Sequence, residues 1–347
     1  MRTSALKLSV YFSERERAAG SYLADALHSV YETHQVHTSV LLRGADGFGA
    51  HHHLHTDRLL SASENLPAVS IAVDARERIE AALPEVRALT AGGGLLTLER
   101  ATLLSGSELR HLAFPAGPET PVKLTLYGGR GARTGGQAGY VTAVARLASE
   151  RAAGASVLLA VDGMLHGRRR RARFWARNAE VPLMLIAIGS SARLAAALPA
   201  LLDALDEPVA TLERVAVYKA AGQAHLAPAE VPERDASGLA NRQKLTVHVE
   251  ERATHGGRPV HSELLLRLRG AGVAGVTVLR GVRGFYADRE PFADRSHSLR
   301  RNVPVLVVAI DRPARVRAWW PLVDELTAEH GLVTGELVPT AVPAAPR

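Results

Sequence analysis

Two short signatures in this 347-residue chain carry residue types that hold anions. Arg43-Gly44 and Arg280-Gly281 each close an apolar, extended run, and a guanidinium at a strand end can grip a phosphate through two parallel hydrogen bonds. The same arginine serves equally well in an ion pair between parts of the chain. Gly92-Gly93-Gly94 could turn backbone N–H groups toward an anion, because glycine adopts the conformations that such a concavity needs. The alternative there is a helix stop and a turn. Gly47-Phe48-Gly49 and Gly284-Phe285 read as the take-off of a loop anchored by its phenylalanine rather than as ligand contacts.

His51-His52-His53 and His55 raise metal binding as a rival class, with His51, His53 and His55 as ligands. Zinc would need the pair four apart on a helix and a further histidine or carboxylate from elsewhere. Solvated loop histidines are the other reading. Arg168, Arg169, Arg170 and Arg171, followed by Arg173 and Arg177, put six arginines into ten residues. Such a block is either solvated or a contact for an acidic partner or anionic membrane surface. Catalysis has little support: there is no nucleophile elbow and no complete phosphate-binding lysine motif. Glu14 and Glu251 occupy like places, but Arg130 stands at the third. The chain is expected to be non-enzymatic and to require no cofactor.

These residues sit in a framework written three times. Lys7-Leu8-Ser9-Val10-Tyr11, Lys123-Leu124-Thr125-Leu126-Tyr127 and Lys244-Leu245-Thr246-Val247-His248 begin 116 (123 − 7) and 121 (244 − 123) residues apart. Asn65-Leu66-Pro67, Glu180-Val181-Pro182 and Asn302-Val303-Pro304 each precede an apolar run, and Pro84, Pro199 and Pro321 recur inside helical patterns. A repeat this long implies self-contained domains. The expected division is copy one at 1–105, a linker at 106–121, copy two at 122–219, a linker at 220–243, copy three at 244–339 and a tail at 340–347.

Within copy one the pattern predicts a strand over Leu6–Phe12, a helix over Ser21–Thr33 and a strand over Val36–Leu42. After a loop at 45–56 comes an amphipathic piece over Arg58–Ser63. A strand over Ala68–Val73, a helix on the stripe Ile79, Ala82, Leu83, Val86 and Leu89, and a strand over Leu95–Leu103 complete the unit. The order βαββαβ is that of an α/β (α+β), ferredoxin-like domain, an antiparallel sheet with both helices on one face. Third strands such as Leu183-Met184-Leu185-Ile186 lack alternation, so both faces should be buried. The simplest cover is another copy's sheet, which makes the chain an intramolecular pseudo-trimer.

Composition narrows the class. No cysteine is present, which excludes disulfides and thiolate metal sites. The net charge of +7 invites a nucleic-acid reading, yet only four of the 42 basic residues are lysine and aromatic residues are 5%. Nothing interleaves base-stacking rings with positive charge, so nucleic acid is not expected. No apolar stretch approaches the roughly 20 residues of a membrane helix, and no signal-peptide core is seen. A cytoplasmic protein is expected.

Leu42-Arg43-Gly44-Ala45-Asp46-Gly47-Phe48-Gly49, His55-Thr56, and Leu66-Pro67 before a strand ending in Asp74 resemble the domain-of-unknown-function 190 family, which is similar in fold to PII signalling proteins. Copy three matches through Arg258-Pro259-Val260, Ala271 to Gly275 and Leu279 to Phe285. Copy two is degenerate, with Ala160-Val161 read in place of Arg-Gly and Gly163-Met164-Leu165 in place of Gly-Phe. The resemblance implies a trimer-like architecture whose loops after the second strands, at 45–56, 162–173 and 282–294, touch partners. It also implies a small anionic effector, adenine nucleotides above all, in clefts between copies, and a membrane partner such as a fluoride channel.

Overall fold

The computed structural model describes residues 3–49, 55–56, 65–173, 178–236, 238–287, 289–293 and 302–340. The described residues form a mixed α/β structure with six α-helices and one large antiparallel sheet system. In copy one the four main strands are Thr3–Ser13, Thr38–Arg43, Pro67–Ala75 and Leu95–Leu104, with helices Leu23–Thr33 and Arg76–Leu89. Copy two has strands Pro121–Gly129, Gly154–Leu159, Pro182–Ser190 and Val209–Arg214, with helices Gly139–Ser149 and Ser191–Leu205. Copy three has strands Ala240–Glu250, Val276–Arg280, Pro304–Asp311 and Leu332–Thr340, with helices Val260–Gly270 and Pro313–Leu326.

In every copy the first strand pairs with the third and the last, and the second pairs with the third, all antiparallel. Each copy therefore has the strand order 4-1-3-2. The helical stripe buries Ile79, Ala82 and Val86 in copy one, Leu194, Ala197 and Leu201 in copy two, and Val316, Trp319 and Val323 in copy three. Each third strand is buried on both faces, as its unbroken apolar run requires. The far faces meet in one shared core: Val40, Leu42 and Ile71 of copy one pack with Tyr127, Leu158 and Met184 of copy two and Leu279 and Leu306 of copy three.

Ion pairs close the same centre. The lysine of each first strand bonds the glutamate of its own last strand and that of the next copy. Lys7 reaches Glu99 at 3.1 Å and Glu213 at 2.6 Å. Lys123 reaches Glu213 at 2.7 Å and contacts Glu336, and Lys244 reaches Glu336 at 2.9 Å and Glu99 at 2.6 Å. Five of the six residues are buried and the Glu336 side chain is only 8% exposed, so each charge is balanced inside the protein rather than by water. Burial lowers the Lys7 ammonium, but Glu213 and Glu99 overcome it and hold the group well above its ordinary value. Burial likewise raises the Glu99 carboxyl, yet Lys244, Lys7 and Lys123 hold it well below the usual carboxylate range. Lys123 is drawn below its ordinary value, chiefly by burial.

The segment at 106–121 is not a bare spacer. It opens with a 3-10 turn, Gly106–His111, whose Leu109 is buried in the core of copy two. After Arg214 the chain crosses to pair Ala216–Ala220 with the last strand of copy three. The expected amphipathic piece at 58–63 lies outside the described residues.

Candidate site at the seams between copies

A short strand just beyond each second strand leaves its own copy and pairs with the second strand of another. Asp46–Phe48 of copy one pairs with Val276–Val278 of copy three, Asp162–Met164 of copy two with Ser39–Leu41 of copy one, and Arg283–Tyr286 of copy three with Gly154–Val157 of copy two. The exchange is cyclic. It carries one apolar side chain into each receiving core: Phe48 into copy three, Met164 into copy one and Phe285 into copy two. We number each seam by the copy that receives.

The glycines of the two signatures belong to this exchange. A Cβ on Gly44 would come within 2.6 Å of the Pro67 ring, and one on Gly47 within 2.6 Å of the Val276 carbonyl oxygen. Gly281 meets Val157 O and Pro304 at the corresponding place, and Gly284 meets Ala155 O. Gly49 faces open space. Phe48 and Phe285 act as anchors, but in the neighbouring copy rather than their own.

Equivalent hydrogen bonds align the copies. Gly44 N donates to Pro67 O, Ala160 N to Pro182 O and Gly281 N to Pro304 O. Leu159-Ala160, not Ala160-Val161, therefore stands where the other copies have Arg-Gly. The register is set by the backbone, which the side chains of copy two do not mark.

The three seams differ in charge. At seam one, Arg43 Nε donates to Glu14 at 3.0 Å within its own copy, and both groups are exposed. The incoming Asp162 is buried and held by Arg169 at 2.8 Å. At seam three, half-buried Arg280 bridges Glu251 at 3.1 Å and the incoming Asp46 at 3.6 Å, an ion pair across copies. At seam two the acid positions are reversed: Arg130 stands in place of Glu14 and Glu251, and the incoming residue is Arg283 instead of aspartate. Arg130 donates through Nη2 to the Ala160 carbonyl.

Matches to known proteins accord with the triplication. The model of the domain-of-unknown-function 190 family, described as uncharacterized ACR, matches residues 5–103, 121–217 and 242–340. The chain belongs to that family. A UPF0166 protein of Aquifex aeolicus (strain VF5) is 27% identical over 99 residues, covering 28% of this chain and 91% of its own length. A solved aspartate kinase from Synechocystis aligns with 97% of this chain and 45% of its own length, at 11% identity and a TM-score of 0.27, too weak to bear on fold or function.

Other candidate residues of this family member fall away from the seams' arginines. Gly92, Gly93 and Gly94 form the turn before the last strand, where Gly94 has φ +87° and a Cβ would meet Tyr11 O at 2.9 Å. Gly331 does the same in copy three, against His248 O at 2.9 Å. A Cβ on Gly93 would lie 2.8 Å from Glu16 Oε1, so a carboxylate already stands against this turn and would repel an anion cradled there.

The arginine run is largely engaged within the chain. Arg169 and Arg171 bond Asp25 on the first helix of copy one at 3.2 and 3.1 Å, and Arg170 bonds Glu180 at 2.5 Å. Arg168 is exposed. The run reads as free in sequence because Asp25, which holds both Arg169 and Arg171, lies 144 and 146 positions away along the chain. His51, His52 and His53 lie outside the described residues, and of His55 only the backbone, paired with Gly47, is described. Glu99, Glu213 and Glu336 bring three carboxylates within 4.8 Å, a spacing a metal could use, but three lysine ammonium groups already neutralise them. In sequence these lysines mark the repeat; their burial shows there only as the rarity of lysine beside arginine.

Among the described residues no helix is long and apolar enough to cross a membrane.

Proposed function

We propose that the chain is a non-enzymatic regulatory protein of PII-like type, a pseudo-trimer of ferredoxin-like copies in one polypeptide. It binds a small anionic effector, favouring an adenine nucleotide, in a cleft between copies. Occupancy passes to a partner, a membrane channel or transporter, through the loops at 45–56, 162–173 and 282–294, and the protein works in the cytoplasm. The 4-1-3-2 strand order and the cyclic exchange support the architecture.

One observation carries the signalling part. Arg280 of copy three bonds Asp46 at the root of copy one's loop. An anion that took the guanidinium from Asp46 and Glu251 would alter the tether of that loop, and a ligand shifts a loop only by preferring one of its states. The signature arginines Arg43 and Arg280 are thus effector contacts that alternate between carboxylate and ligand.

A thermal-shift panel on the full chain with ATP, ADP, AMP, cyclic nucleotides, fluoride and divalent metals tests the reading. A ligand at a hundred times its dissociation constant adds about 2.7 kcal/mol, a visible rise in melting temperature. A nucleotide-specific rise is expected, and a flat response to every nucleotide overturns the effector assignment. Arg43→Ala and Arg280→Ala should weaken the rise.

A further inference from the structure

Seam two differs from its counterparts in a way that predicts a ligand. Each seam has three ionisable positions: the residue after the first strand, the end of the second strand, and the first residue of the incoming strand. Seam one carries Glu14, Arg43 and Asp162; seam three carries Glu251, Arg280 and Asp46. Seam two carries Arg130, the neutral Leu159, and Arg283. Both arginines are half-buried, and neither has an acidic partner among the described residues.

The two side chains share one neighbourhood. Arg130 Nη2 sits on the Ala160 carbonyl at the end of copy two's second strand. Arg283 pairs through its backbone with Val157 on that same strand. Tyr140, on the first helix of copy two, lies within electrostatic reach of both guanidinium groups. In each arginine the Nε is buried and has no hydrogen-bond partner. Buried donors of this kind are almost always satisfied, and a charged donor left unpaired is costlier than a neutral one. Burial pulls both guanidinium groups below their ordinary value with no carboxylate to offset it.

We infer that seam two is an anion site in which Arg130 and Arg283 together clasp a phosphate or polyphosphate group. Planar guanidinium forks match phosphate oxygens two at a time, and two forks suit a group with several oxygens. The copy whose signature is most degenerate in sequence then supplies a binding seam: with arginine in place of the acid at position 130 and of the incoming aspartate at 283, the two guanidinium groups have no carboxylate counter-charge among the described residues. This inference rests on the reading that clefts between copies take the effector, and it adds to the clefts of Arg43 and Arg280 a third that has no acid of its own.

Isothermal titration of the full chain with inorganic pyrophosphate and with ATP, in a buffer free of phosphate and at low salt, tests it. The wild-type protein should bind pyrophosphate. Arg130→Glu and Arg283→Gln should each weaken it about tenfold or more, the value of a lost charge-assisted hydrogen bond. Arg130→Glu should also raise the melting temperature of the ligand-free protein, because it restores the acid present at seams one and three opposite Arg283. Arg130→Gln, with circular dichroism to verify folding, stands in should the glutamate variant misfold. Unchanged affinity in the Arg130 and Arg283 variants, with loss in Arg280→Gln, overturns seam two and leaves the effector reading intact. Pyrophosphate binding that follows Arg130 and Arg283, with ATP no tighter, supports seam two and removes the nucleotide preference. No binding of either anion by the wild-type chain overturns the inference.

Discussion

The Lys7 ammonium lies 2.6 Å from the Glu213 carboxylate, joining positions 206 residues apart in sequence and two different copies. Burying six ions is unfavourable by itself, and well-formed buried pairs roughly offset their desolvation. The ring's effect is therefore mainly on arrangement: it is complete only when all three copies contribute. Lys7→Met leaves Glu99 and Glu213 short of a counter-charge and should cost about 3–5 kcal/mol, measured by urea unfolding. Lys7→Met combined with Glu213→Gln should be less destabilised than the sum of the single changes, because the two groups interact. Additive losses would mean the pair is not coupled.

His28 should make the protein acid-sensitive. It is buried on the first helix of copy one, near Asp162 of copy two, with Asp25, Arg169 and Arg171 around it, and burial pushes its imidazole down to about 4. The unfolded chain takes up a proton near pH 6.5 while the folded one resists until about pH 4, so stability present above 6.5 is lost as pH falls through that window. At about pH 5 the loss from this group is about 2 kcal/mol. His28→Leu should reduce the difference in unfolding free energy between about pH 7.5 and about pH 5 by that amount. An unchanged difference would assign the acid sensitivity to other groups, such as His248, which burial pushes down to about 3.

Phe48 belongs to copy one by sequence but to copy three's core by packing. Phe48→Ala should cost about 3–5 kcal/mol, the usual penalty for emptying a buried aromatic site. Phe285→Ala, which empties copy two's core, should cost a similar amount. A negligible cost in calorimetry would show that the exchanged strands are not seated in solution.

The glycines can be ranked. Gly284→Ala places a methyl against the Ala155 carbonyl oxygen and should cost about 1–3 kcal/mol, whereas Gly49→Ala meets nothing within 4 Å and should be close to neutral. Equal melting temperatures for the two variants would contradict the close approach at seam two.

Shape gives an independent test of closure. The chain should run in solution as a particle near 37 kDa with the scattering profile of a compact body, because the copies share a core and an ion ring. An extended profile would indicate three separately tumbling units.

The repeat was legible because strand and helix periodicity are local properties, and Lys7, Lys123 and Lys244 mark the same strand position three times. The second helices announced themselves through a stripe that stays apolar in every copy. Boundaries shifted little: the helix read over Ser21–Thr33 begins at Leu23, and the last strand ends at Leu104. The signature glycines were visible but their role was not, since a glycine that admits a neighbouring strand looks the same in sequence as one that admits a ligand. In copy two the equivalent of Arg-Gly lies one residue earlier than its sequence suggests, because Leu159-Ala160 keeps the backbone bonds of Arg-Gly without its side chains.

Sequence alone determined that one α/β unit recurs three times, which face of each helix is apolar, and that each third strand is buried on both sides, because all three follow from spacing within a few residues. Tertiary structure alone decided which copy receives which exchanged strand, that Lys7 meets Glu213, and that Arg130 and Arg283 share a seam without an acid. Those contacts join residues more than a hundred positions apart, and their energies depend on burial and geometry that no local pattern encodes.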